Sequence, residues 1–282
     1  LGEYALTQAP ARIGVIGYGA ITDEIIRCLE LRGDLEVLVG VLDLPEKGRE
    51  LTNKAAGRFP VFAALPELLA RKPEIVIEAA GHGAVHAFGT DILKSGSDLL
   101  VASTGALADR KLAAKLIASS AGGNELWIAS GAVAGIDGLL AARTAGLQSV
   151  TYTSLKGPVA WQGTPAEGLL GENAKDERVI FFSGNAREAA MHYPQNANVA
   201  ATIAFAGLGL DRTRVELGSD PHVAGPLGII EAEGEFGRFK FDILALASPR
   251  NPKTSAITGH SLVAAVLDGM CFRASGALRA AI

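Results

Sequence analysis

Gly14-Val15-Ile16-Gly17-Tyr18-Gly19-Ala20 closes an apolar run that begins at Ile13. A turn this poor in side chains lets main-chain N–H groups, and the positive end of the helix behind it, approach phosphate oxygens closely; Gly19 keeps a side chain out of that contact. Residues 12–17 read as a buried strand, 20–31 as a helix with apolar residues at helical spacing, and Gly33 as its stop. A second strand over 35–42 ends at Asp43, at the distance from the turn, about 20 residues or slightly more, where a carboxylate accepts hydrogen bonds from ribose hydroxyls. The pattern points to a dinucleotide cofactor, with Gly17, Gly19, Ala20 and Ile21 at its pyrophosphate and Asp43 at its ribose. Asp43 favours NAD, while Lys47 and Arg49 lie within reach of a 2′-phosphate, so NADP is also consistent. Thr22 stands at the third glycine position of the fingerprint, which predicts looser packing of helix on strand. A glycine turn in a βαβ unit without a ligand is the plainer alternative.

Composition narrows the remaining classes. The 282 residues are enough for two ordinary domains, and 49% hydrophobic with 20% charged residues is a globular balance. A formal charge of −4 spread over mixed signs leaves no electrostatic footprint for nucleic acid or for an anionic membrane surface. Small-molecule partners are expected instead. Cys28 and Cys271 make neither a disulfide framework nor a metal-ligand spacing, which fits a reducing cytoplasm. Residues 1–11 have no basic start or apolar core of a signal peptide, and no apolar run approaches bilayer length.

Working outward from the turn, apolar β runs alternate with amphipathic helices to about residue 130. Strands are predicted at 74–79, 98–103 and 125–129, and a helix at 109–120 with Asp109 as its N-cap. Such alternation predicts a parallel sheet. Ser130-Gly131-Ala132-Val133-Ala134-Gly135 then makes a small-residue turn into a helix at 136–143, a place where a bound ring approaches the backbone. Beyond residue 147 the texture becomes that of an α+β fold, with strands at 149–154, 214–218, 229–235 and 238–245 and helices at 185–192 and 199–206. The expected fold class is α/β: a Rossmann-type parallel-sheet domain (1–131), a smaller α+β substrate and dimerisation domain (132–250), and a C-terminal helical segment (251–282) returning to the first domain, its helix at 255–267.

Several stretches together resemble the L-aspartate dehydrogenase family. They are Gly17-Tyr18-Gly19-Ala20-Ile21, Ser103-Thr104-Gly105-Ala106-Leu107-Ala108, Ser130-Gly131-Ala132, Gly184-Asn185-Ala186-Arg187-Glu188-Ala189-Ala190, the block from Tyr193-Pro194-Gln195-Asn196-Ala197-Asn198 to Thr202, and Asn251-Pro252-Lys253-Thr254-Ser255. The Asn-Ala-Asn and Asn-Pro-Lys-Thr blocks carry the resemblance further than the glycine turn, which many unrelated enzymes share. It implies a cytoplasmic oxidoreductase acting on CH–NH2, oxidising L-aspartate to iminosuccinate with NAD or NADP for pyridine nucleotide biosynthesis, as a homodimer. It also implies cofactor contacts at Ala132 and Asn198. For Asn198 a helix-capping role is the alternative. The resembling enzymes carry an Asn-x-His element whose imidazole is the acid/base; the aligned stretch here has Pro226 and Gly228 in those places. A related dehydrogenase or imine reductase for another small amino or oxo acid, and a non-catalytic dinucleotide sensor, are the competing functions.

His222 is the nearest replacement as catalytic residue, since an imidazole titrates near neutrality, with a plain solvent-exposed turn histidine as the alternative. His260 on the C-terminal helix is a second candidate. His82 and His86 share helical spacing but lack a convincing third ligand, so no metal is expected. A dicarboxylate substrate calls for cationic side chains, and Lys156, Arg187 and Lys253 are the candidates.

Overall fold

In the computed structural model the described residues are 12–43, 52–53, 55–194, 197–249 and 251–274. They fall into two compact units, the first built from residues up to Gly131 together with the segment beginning at Ser248, the second from Ala132–Ala247.

The first unit runs β1 (Ile13–Ile16), α1 (Ala20–Arg32), β2 (Leu38–Leu42), β3 (Val61–Phe62), α2 (Leu65–Leu69), β4 (Ile75–Glu78), α3 (His82–Lys94), β5 (Asp98–Val101), α4 (Arg110–Ser119) and β6 (Leu126–Ala129). These strands lie side by side and parallel in the order β3-β2-β1-β4-β5-β6, the doubly wound arrangement in which the chain reverses direction across the sheet between β1 and β4. The continuous apolar runs explain the layering. All four residues of β1, of β4 and of β6 are buried, as expected of central strands with both faces covered.

Local signals set the helix ends. Gly33 takes a left-handed conformation (φ 80°) and donates its N–H to the Glu30 and Leu29 carbonyls, closing α1. Asp109 accepts from the amides of Lys111 (2.8 Å) and Leu112 (3.3 Å), the expected N-cap of α4. Two expectations shift at their edges: residues 35–37 form a 3₁₀ turn before β2, and the strand expected over 98–103 ends at Val101.

The second unit carries α5 (Ile136–Thr144), β7 (Leu147–Lys156), β8 (Val179–Asn185), α6 (Ala186–His192), α7 (Ala197–Ala206), β9 (Arg214–Ser219), β10 (Leu227–Gly234) and β11 (Gly237–Leu244). Its mixed sheet has the order β11-β10-β7-β9-β8, with only β7 and β9 parallel. Asn185 and Glu188 cap α6 reciprocally, each side chain taking the other's backbone N–H at 2.9 and 3.0 Å. Arg143, near the end of α5, donates to the Phe205 carbonyl near the end of α7.

The chain then returns to the first unit. β12 (Ala247–Ser248) and β13 (Asn251–Ser255) form a short ribbon, α8 (Thr258–Leu267) packs on α1, and β14 (Cys271–Arg273) adds an antiparallel edge strand to β6. The helix expected over 255–267 thus starts three residues later, because 251–255 pairs as a strand. Leu262 and Val266 of α8 join Ile13, Val15, Ile25, Leu29, Ile77 and Trp127 in one core, and each such side chain contributes about 1.5–3 kcal/mol by leaving water.

The α1–α8 contact is close enough to exclude a methyl group. A Cβ at Gly259 would stand 2.5 Å from Cβ of Glu24 and 3.0 Å from the Ile21 carbonyl oxygen, neither of which is the far end of a flexible chain. Gly259→Ala would ordinarily gain about 1 kcal/mol of helix propensity, but overpacking of about 1–3 kcal/mol outweighs it. The expected result in thermal denaturation is a melting temperature lowered by about 2–6 °C; a rise would show that α1 and α8 are free to separate.

Candidate active site

The topological reversal between β1 and β4 opens a crevice at the strands' carboxyl ends, where ligands of this architecture bind. Gly17 leaves β1 there with φ +91° and donates its N–H to the Leu42 carbonyl at 2.7 Å. A Cβ on Gly17 would lie 2.6 Å from Ala80 Cβ and 2.7 Å from Ala80 Cα, so both conformation and space demand glycine. Around Gly19, by contrast, no described heavy atom comes within 4 Å of a Cβ position, and this N-cap of α1 supplies no side-chain acceptor for the first-turn amides of Ala20 and Ile21. Thr22 does not loosen the packing as expected. It is fully buried, and its hydroxyl donates to the Gly17 carbonyl at 2.7 Å, tying the helix to the turn.

Asp43 follows β2 directly, beside the turn because Ile16 and Leu42 are register partners. Its Oδ2 is buried and has no hydrogen-bond partner among the described residues. A buried carboxylate oxygen left unsatisfied is costly, and the hydroxyls of a ribose would satisfy it. A glycine cradle, uncapped amides and an orphaned acceptor therefore fit a dinucleotide on this chain's own terms. Lys47 and Arg49, the residues weighed for a 2′-phosphate, lie outside the described residues.

Glu78 is the feature that sequence reading missed. It ends β4 next to Ile16 and is almost completely buried. Its Oε1 accepts from the amides of Ala80 (2.8 Å) and Gly81 (2.7 Å) and from the Ser103 hydroxyl (3.0 Å), and its Oε2 from the Ser103 amide (3.0 Å). Burial pushes its carboxyl above the ordinary range, and these four donors pull the other way without cancelling it. One side chain thus fixes the loops after β4 and β5, both at the crevice. The available signal was a lone carboxylate at the last position of the apolar run Ile75-Val76-Ile77.

Ala132, Asn198 and His222 belong to the second unit. Ala132 sits half-buried in the turn after β6. Asn198 does not cap its helix: α7 begins at Ala197, so Asn198 lies inside the first turn, half-buried. His222 is exposed in the turn after β9, its amide donating to Asp220 Oδ1 at 2.9 Å and its Nε2 3.1 Å from the Asp176 carbonyl oxygen. Asp220 is buried, and the His222 amide together with the Arg178 guanidinium (2.8 Å) holds its carboxyl below the ordinary range. His260 is exposed on α8, and His82 and His86 lie on α3. Among the described residues no group of three His, Cys, Asp or Glu side chains is arranged to hold a metal ion, and no helix is long and apolar enough to cross a membrane.

Comparison with known proteins gives this geometry its family. The family described as "Aspartate dehydrogenase, C-terminal" matches residues 137–268, and "Homoserine dehydrogenase, NAD binding domain" matches residues 17–128. An L-aspartate dehydrogenase of Polaromonas sp. strain JS666 is 42% identical over 261 residues, covering 91% of this chain and 97% of its own. The chain belongs to the aspartate dehydrogenase family. A second L-aspartate dehydrogenase, from Ruegeria pomeroyi, is 43% identical over 256 residues, 90% of this chain and 91% of that one. The crystal structure of an aspartate dehydrogenase from Thermotoga maritima shares the fold, with a TM-score of 0.68 at 20% identity over 90% of this chain and 94% of that one. The family frame thus spans both units, including the strand ends that carry Gly17 and Glu78.

Glu78→Gln tests the loop anchor in this aspartate dehydrogenase frame. The amide nitrogen would put a donor where the carboxylate has an acceptor, facing the N–H groups of Ala80 and Gly81 or of Ser103, so at least one of the four hydrogen bonds becomes a repulsion. The dissociation constant for the dinucleotide, read by calorimetry, is expected to rise about tenfold. Unchanged affinity would mean that the 79–81 and 103 loops do not shape the cofactor crevice.

Proposed function

We propose that this chain oxidises the CH–NH2 group of L-aspartate to iminosuccinate with NAD or NADP. The observation that carries the reading is identity of about 40% to L-aspartate dehydrogenases along nine-tenths of the chain. The first unit's crevice supports it chemically: the Gly17 turn and the Ala20 and Ile21 amides suit a pyrophosphate and Asp43 an adenosine ribose, while the family resemblance assigns Ala132 and Asn198 as further cofactor contacts. Bound there, the nicotinamide supplies the hydride acceptor for the substrate Cα.

The chain's own task is to orient substrate and to take a proton from the substrate ammonium. Gly228, near the start of β10, has no side chain to do this; the Tyr152 ring stands 3.2 Å from where its Cβ would be. We assign the proton to His222. A carbonyl oxygen only accepts, so the Asp176 carbonyl fixes the hydrogen on Nε2 and leaves Nδ1 as the basic nitrogen. The working form we propose is a cytoplasmic homodimer, which the family resemblance implies.

A second reading follows from the same glycine: with the usual proton-moving side chain replaced, the physiological substrate is another small amino or oxo acid. A panel of such acids with both cofactors, followed by nicotinamide absorbance, separates the two. The proposal expects turnover of L-aspartate, rising toward alkaline pH, with His222→Ala slowing kcat about a hundredfold or more. Turnover of a different acid, with L-aspartate inert, favours the second reading; cofactor binding without any turnover favours a sensor.

A further inference from the structure

The sheet of the second unit carries a polar stripe along an otherwise apolar face. Two-residue alternation places Val150, Tyr152, Ser154 and Lys156 of β7 on one side. Register sets Val215, Leu217 and Ser219 of β9 beside Tyr152, Ser154 and Lys156, and sets Ile230 and Gly228 of β10 beside Tyr152 and Ser154. The inner part of the stripe is satisfied internally. Tyr152 and Ser154 share a hydrogen bond, and burial pushes the phenol up to about 12, so it stays neutral.

The outer end is different. Ser219 is completely buried, and its hydroxyl has no hydrogen-bond partner among the described residues. Lys156 stands next to it in register, its Nζ 5.2 Å from the centroid of the Trp161 ring. That ring is itself buried and pinned by its N–H donating to the Gly218 carbonyl at 3.2 Å. The Asp220 amide donates to the Lys156 carbonyl at 3.0 Å and holds the corner together, so the segment leading to His222 starts from the same place. Burial also pushes the Lys156 ammonium below the ordinary lysine range. A desolvated ammonium and an unsatisfied buried hydroxyl are both penalised as they stand, and both penalties are relieved by one group with two acceptor oxygens and a negative charge.

We infer that Lys156 and Ser219 form a carboxylate-receiving pair, which takes one carboxylate of the dicarboxylate substrate through Nζ and Oγ. The inference rests on the reading of the chain as an aspartate dehydrogenase. Of the other candidate cations, Arg187 is paired with Asp211 by two N–H bonds at 2.7 and 2.9 Å, and the side chain of Lys253 lies outside the described residues. The pair sits at the carboxyl ends of β7 and β9, on the corner that leads to the histidine assigned to proton transfer. A carboxylate held there is anchored by charge on one oxygen and by a neutral donor on the other, a combination that favours anions over neutral analogues.

The test uses the full chain with saturating cofactor. Lys156→Met is expected to raise KM for L-aspartate about tenfold to a hundredfold, and Ser219→Ala about threefold to tenfold, with cofactor affinity unchanged in both. Lys156→Arg should restore most of the lost affinity, because charge and donors return. Succinate, a dicarboxylate with no amine to oxidise, should bind the wild-type chain with NADH present, and its calorimetric heat should vanish in Lys156→Met. Should Lys156→Met fail to fold, Ser219→Ala with succinate carries the measurement. An active wild type with unchanged KM and succinate binding in the folded variants overturns the pair alone. A wild type inert toward L-aspartate that still binds succinate through Lys156 overturns the functional reading and keeps the pair.

Discussion

The turn at Gly17 has room for a hydrogen and nothing larger. With φ at +91° and Ala80 less than 3 Å from any Cβ, the backbone at the end of β1 is pressed against the loop after β4. That contact brings the start of α1, the end of β2 and the loop after β4 into one crevice. Both roles proposed for the first unit, amides for a pyrophosphate and Asp43 for a ribose, depend on it. Thr22 reinforces the same point from the helix side by holding the Gly17 carbonyl.

Glu78 extends the constraint across the sheet. A buried carboxyl would ordinarily be a liability; here it gathers three backbone amides and a hydroxyl from two loops, which otherwise would need their own partners in a dry place. In the second unit the polar groups are distributed differently. Tyr152 and Ser154 share a hydrogen bond, whereas the Ser219 hydroxyl has no hydrogen-bond partner among the described residues. Among the described residues, the buried side-chain atoms left without a partner include Asp43 Oδ2 at the end of β2 and Ser219 Oγ at the end of β9, beside Glu24 Oε2, Thr213 Oγ1 and Arg273 Nε; at strand ends such gaps are where a ligand can supply the missing partner.

Much of the fold was legible because the strands of the first unit are unbroken apolar runs and its helices have distinct ends, Gly33 and Asp109 among them. The pairing of Gly17 with Asp43 followed from the spacing of one βαβ unit. What escaped reading depended on distant partners. β8 alternates poorly and sits at the sheet edge; β14 is three residues long and has meaning only against β6; residues 251–255 continue into a helix pattern yet pair with β12. Glu78 owes its role partly to Ser103, 25 residues later. Asn198 looked like a cap only because the start of α7 was placed two residues late. Ser219 carries no motif, and its unpaired hydroxyl emerges only when the β7–β9 register is known.

Whether the Gly17 turn holds a dinucleotide is decided by calorimetric titration of NAD and of NADP into the purified chain, beside a Gly17→Ala variant. Saturable binding of at least one dinucleotide by the wild type is expected at micromolar to submillimolar levels, weakened about tenfold or more when a methyl group enters the Gly17 turn. Absence of binding by the wild type at millimolar concentration, or equal binding by the variant, would contradict it.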